Sequence, residues 1–92
     1  MSRILPKEIT IGSTVWTVKY KQNFEDLGEC DYESSTITIK SSLGRQAKTR
    51  VFIHECIHAA LYNAGQDEHD EQVVDAIANA LPQIFNQMKE YM

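Results

Sequence analysis

The hydrophobic period of the chain changes once, near Ser41, and that change confines the fold to a sheet followed by helices. In "EITIGSTVWTVKY", Ile9 and Ile11 precede Gly12-Ser13, and Trp16, Val18 and Tyr20 then fall on one face. Alternation of this kind marks half-buried strands. The Gly-Ser link predicts a hairpin with a type II′ turn, because glycine at the first central position supplies the positive φ. A polar loop, "KQNFEDLGE", follows. "CDYESSTITIK" reads as a second hairpin, with Glu33, Ser34 and Ser35 near its turn and Ile37 and Ile39 facing one side. Together these segments predict an antiparallel sheet of about three to four strands over residues 8–40.

Beyond Ser41, Val51, Ile53, Ile57, Ala60, Leu61 and Ala64 recur at intervals of three and four. That spacing predicts an amphipathic helix over residues 44–64, with Gly65 ending it. A second helix is expected over 68–90, capped by Asp67 or Asp70. Its core stripe would be Val73, Val74, Ile77, Leu81, Ile84, Phe85 and Met88, and Pro82 should kink or break it near Asn79. The expected fold class is therefore α+β, an N-terminal antiparallel sheet followed by two packed helices, in a single domain spanning 1–92. A chain of 92 residues buries only about 60–65% of its unfolded surface, so a bound metal would add useful stability.

A formal charge of -4 excludes a general nucleic-acid binder, which needs a basic face to neutralise phosphates. Arg45, Lys48 and Arg50 read as the solvated start of a helix. "MSRILPKEITIG" has no apolar run of signal-peptide length, and no stretch of the chain reads as a membrane span. A cytoplasmic protein is expected, with Cys30 and Cys56 as small buried hydrophobes rather than a disulfide.

The chemistry is concentrated in "FIHECIHAAL". On a helix His54 and His58 lie about 40° apart on one face, so both imidazoles can reach one ion, with Glu55 placed to hold a water beside it. A polar His-Glu-His face among Phe52, Ile53, Ile57, Ala59, Ala60 and Leu61 needs a reason to be buried, and a metal supplies one. Cys56 falls about 100° from Glu55 and should face away. A catalytic zinc takes three protein ligands and keeps one position open. Asp67 and Glu68, in the connection, read as caps or solvent charges. Glu71, bordering the buried face of the second helix, is the best third ligand. His69 is its rival, or else a loop residue or a donor near the substrate. Asp75, one turn beyond Glu71, reads equally as a support for a ligand histidine or as a surface charge.

"HECIH", a short turn and then "EQVVDAIANAL" resembles the small zincin metallopeptidases of the gluzincin kind. The likeness is greatest to the short metallopeptidase-like proteins often encoded by phages and prophages. In those proteins an I-x-I strand, here "TITIK", precedes the H-E-x-x-H helix. The resemblance covers residues 36–81. It implies zinc as cofactor, His54, His58 and Glu71 as ligands, and Glu55 as general base for hydrolysis of a peptide bond in a narrow protein substrate. It also implies that strand 36–40 is a sheet edge along which a peptide could lie. No residue matches by motif the Tyr or His that donates to the oxyanion in larger relatives; Tyr32, Tyr62 and His69 are the nearest candidates. No extra lobe is present to deepen a cleft. A second reading is a zinc-bearing interaction module that binds a protein partner along the sheet edge, without catalysis. Glu55 favours hydrolysis, since a structural zinc needs no base.

Overall fold

The computed structural model describes residues 5–91; the first four residues of the N-terminal stretch, and Met92, lie outside the described range. Four strands, β1 (Glu8–Ile11), β2 (Thr14–Lys21), β3 (Gly28–Asp31) and β4 (Thr36–Lys40), precede helices α1 (Arg45–Asn63) and α2 (Glu71–Met88) and a short 3-10 turn (Lys89–Tyr91). The class is α+β, as the change of period implies. Among the described residues, no helix is long and apolar enough to cross a membrane.

Both predicted hairpins form. Gly12 takes φ 61° at the β1–β2 turn, and Ser35 takes φ 50° at the β3–β4 turn, where Asp31 Oδ1 accepts from the backbone N–H of Glu33 and Ser34. The sheet, however, is mixed rather than wholly antiparallel. Its order is β1-β2-β4-β3, with β2 and β4 parallel in the register Thr17↔Thr36 to Lys21↔Lys40. Loop 22–27 is long enough to pass the next lane, so β3 starts at the far edge and its hairpin returns β4 into the middle. The strand with the highest proportion of β-branched residues, four of five, thereby takes the most buried place: Ile37 and Ile39 are fully buried and Thr38 nearly so. Strand 36–40 is consequently not a sheet edge. The edges are β1 and β3, and β3, short and carrying Glu29 and Asp31, is the one in more extensive contact with α1.

Trp16, Val18, Ile37 and Ile39 form one apolar face, on which Phe52 and Ala59 of α1 pack, with Ile9, Ile11, Cys30, Val51 and Cys56 at its margin. Ala60 and Ala64 of the expected stripe are exposed instead; the sheet-facing side lies about 150° round, through Phe52, Glu55 and Ala59. Asp70 caps α2, accepting from the N–H of Gln72 and Val73. Pro82 does not break the helix. It removes one donor, the partner of the Ala78 carbonyl, and its fixed φ is helical, so flanking Ala, Leu and Gln carry the ladder across. The predicted α2 core stripe is largely wrong: only Val74 and Ala78 are buried, because α2 rests on α1 rather than on the sheet.

α1 ends in a Schellman motif. Gly65 has φ 88°, its N–H reaches the Tyr62 carbonyl, and the Gln66 N–H reaches that of Leu61. Gly65→Ala places a Cβ in left-handed backbone, which costs about 1–2 kcal/mol. The expected outcome is a melting temperature lower by roughly 5–10 °C on thermal circular dichroism, given the usual scaling for a domain of this size.

Candidate metal centre

The Gly65 turn and the Asp70 cap bring the first residue of α2 back across the middle of α1. His54 Nε2 and His58 Nε2 lie 3.2 Å apart. Glu71 Oε1 is 2.8 Å from His58 Nε2, and Oε2 is 3.6 Å from His54 Nε2. These three are the metal-capable group found among the described residues. Ligands about 2.05 Å from a tetrahedral zinc sit about 3.3 Å from one another, so the spacing fits one shared ion.

The far side of each imidazole fixes its tautomer. His54 Nδ1 lies 2.9 Å from Asp75 Oδ1; a carboxylate only accepts, so Nδ1 carries the hydrogen and Nε2 a lone pair. His69 Nε2 lies 2.7 Å from the Gln66 carbonyl and must donate to it. That leaves His69 Nδ1 to accept from His58 Nδ1 at 2.6 Å, and His58 Nε2 also turns a lone pair inward. Three acceptors thus meet with no hydrogen among them. The arrangement calls for a cation at its centre, or for a second proton on a histidine. Burial pushes the His58 pKa down, against the pull of Glu71, which disfavours the second proton.

Asp75 and His69 therefore stand behind the two histidines. Asp75 supports His54. His69 is neither a third ligand nor turned toward the open side; it backs His58. Its ring lies edge to edge with that of His58, joined through the Nδ1 contact, and meets Tyr32 edge-on, while Tyr32 stacks on Tyr62 at 4.3 Å between centroids. Burial raises the Tyr32 hydroxyl pKa to about 12, with the charge of Cys30 next and then that of Glu55. Tyr32 is thus a phenol that keeps its proton. Burial likewise raises Cys56 to about 12, so its thiol stays protonated at the margin of the core.

Glu55 is 8% exposed. Burial raises its pKa to about 7, opposed by His54 and assisted by Glu71, Glu29 and Asp26. It lies on the wall of a cleft of about 520 Å³ between the β3 edge and α2, lined also by Asp26, Leu27, Gly28, Arg50 and His54. That volume is within the usual range for ligand sites. Gly28 was read as loop, yet it opens β3 directly over the carboxylate. A Cβ there would meet Val51 Cγ1 at 2.5 Å and Glu55 Oε2 at 3.1 Å. The sequence signal was an isolated glycine at the start of a strand pattern, a common mark of close backbone approach.

Glu55 yields a pH prediction for the metal-free protein. Its folded pKa lies above the unfolded value, so the folded state holds the proton more tightly. Stability from this group is greatest at low pH and is lost as pH rises from about 4.5 through about 7. Glu55→Gln removes that loss. With a chelator present, the variant should exceed the parent by about 2 kcal/mol at pH 8 and match it within error at pH 4, read by urea unfolding. No family model, curated protein or solved structure matches this chain.

Proposed function

We propose that the protein is a zinc-dependent peptidase acting on a narrow protein or peptide substrate. The observation that carries this reading is the convergence of three inward lone pairs beside a buried carboxylate that is not one of them. His54, His58 and Glu71 would hold the ion through two Nε2 atoms and a carboxylate. Two imidazoles and a carboxylate suit zinc, and such a set leaves one position free. Zinc so held supplies a Lewis acid that polarises a carbonyl and lowers the pKa of water toward neutrality.

The chain's own residues supply the remainder. Glu55, buried on the wall of the cleft beside the ligand set, takes the proton from the attacking water at a carboxylate oxygen and returns it to the leaving amine nitrogen. Asp75 and the His69–Gln66 relay hold the two imidazoles in the tautomer that ligates, which commonly matters 10–100-fold to metal affinity. Tyr32, whose phenol lies close enough to Glu55 and Glu71 for their charges to raise its pKa, is our choice of donor to the developing oxyanion. The free backbone edge of β3 borders the cleft, and an extended peptide adding to it would pass over Glu55. We also place the protein in the cytoplasm, where the free thiols of Cys30 and Cys56 stay reduced.

Purified protein should contain one zinc per chain by elemental analysis. His54→Ala and Glu71→Ala should each strip the ion and lower the melting temperature; retention of zinc by both would sink the assignment. Glu55→Gln should keep metal and fold yet lose cleavage of a peptide-library substrate. Equal behaviour of wild type and Glu55→Gln would rule out its role as base. His69→Ala should weaken zinc about 10–100-fold in a chelator competition, with His69→Gln, which retains an acceptor for His58, recovering part of that loss.

A further inference from the structure

α2 presents a face that the described residues leave uncovered. Val73 is 53% exposed, Ile77 39%, Ile84 47% and Met88 46%. On a helical wheel these four lie within about 60° of one another, with Ala80 and Leu81 among them. Gln72, Gln83 and Gln87 rim the stripe. Between Glu71 and Lys89 the one charged side chain of α2 is Asp75, engaged with His54 on the opposite side. A fully solvated helix face normally carries charge; this one carries none.

We propose that this face is the seam of a homodimer, with α2 of two copies packed antiparallel about a two-fold axis at Ala80 and Leu81. The spacing of the stripe is its own mirror image. In that register Val73 lies opposite Met88, Ile77 opposite Ile84 and Ala80 opposite Leu81, apolar against apolar at each step. An isologous interface requires such self-complementarity, whereas an unrelated partner does not. Ala80 at the centre lets the helix axes approach closely. The exposed apolar side chains, with Phe85, amount to roughly 500 Å², at the upper end of the largest patches on ordinary monomers. With the glutamine rim the face approaches the ~800 Å² per partner of a stable interface. The seam also covers the helix that brings Glu71 and Asp75 to the metal centre, and which buries only Val74 and Ala78 within its own chain.

The test is the solution mass of the intact chain by sedimentation equilibrium, with and without zinc. The expected result is twice the 10.5 kDa chain mass at about 50 µM. Ile77→Lys and Ile84→Glu should each give monomers with unchanged far-ultraviolet circular dichroism, since both side chains face solvent in one copy. Combined in one chain, the two substitutions should restore the dimer, because the antiparallel register sets each ammonium against a carboxylate. A wild-type monomer at that concentration overturns the proposal without reference to any variant, and leaves the face to another partner. A dimer that survives both single substitutions overturns the seam, and a monomeric double variant overturns the register.

Discussion

The molecule depends on the rotational setting of α1. This helix is packed on two sides at once, against the sheet through Phe52 and Ala59 and against α2 through the histidine face. Ala59 is fully buried, and its small side chain lets the helix lie close over Ile37 and Ile39. Interiors at close-packed density leave little freedom to roll such a helix. A turn of one residue, about 100°, would carry Glu55 out of its cleft and the imidazoles away from Glu71. The apolar contacts of the core thus aim the polar atoms of the site.

The cost of that aim is borne by the polar atoms. Part-buried acceptors that face one another are unfavourable, and a carboxylate held under the β3 edge adds to the cost. On the proposed reading the ion offsets the first expense, since binding to a preformed set couples directly to folding. The second shows, in the absence of an ion, as a Glu55 pKa raised to about 7 by burial, and a cation held beside it would bring that value down.

Much of this was legible in the sequence, where local chemistry decides. The two hairpins follow from Gly12-Ser13 and the polar Glu33-Ser34-Ser35 turn, the end of α1 from Gly65, and the start of α2 from Asp70, one of the two caps the sequence offers. The placement of His54, His58 and Glu71 follows from helical spacing and a short turn. What was not legible depends on which element covers which. The parallel β2–β4 pairing cannot be read from strand patterns, because alternation is the same in either direction. The α2 stripe was assigned to the core because periodicity reports an apolar face and not its partner. Pro82 was read as a breaker because a missing donor is visible in sequence, while the strength of the flanking turns is not. The relay through His69 eluded sequence reasoning since it joins a loop residue to the back of a ligand, with no spacing rule to announce it.

The insertion of β4 between β2 and β3 also dictates an order of assembly. β1 pairs with β2 across a tight turn, and β3 with β4 across another, so each hairpin can close from neighbouring residues. The Thr17↔Thr36 lane cannot close until β4 has been delivered to it, and delivery requires loop 22–27 to have crossed over. Closing such a lane costs more chain entropy than either hairpin. Two preformed ribbons docking along one parallel seam is accordingly the route of least entropy to this sheet. The surface on which α1 rests is complete only when that lane is closed, so the packing of α1, and with it the candidate site, depends on the β2–β4 pairing.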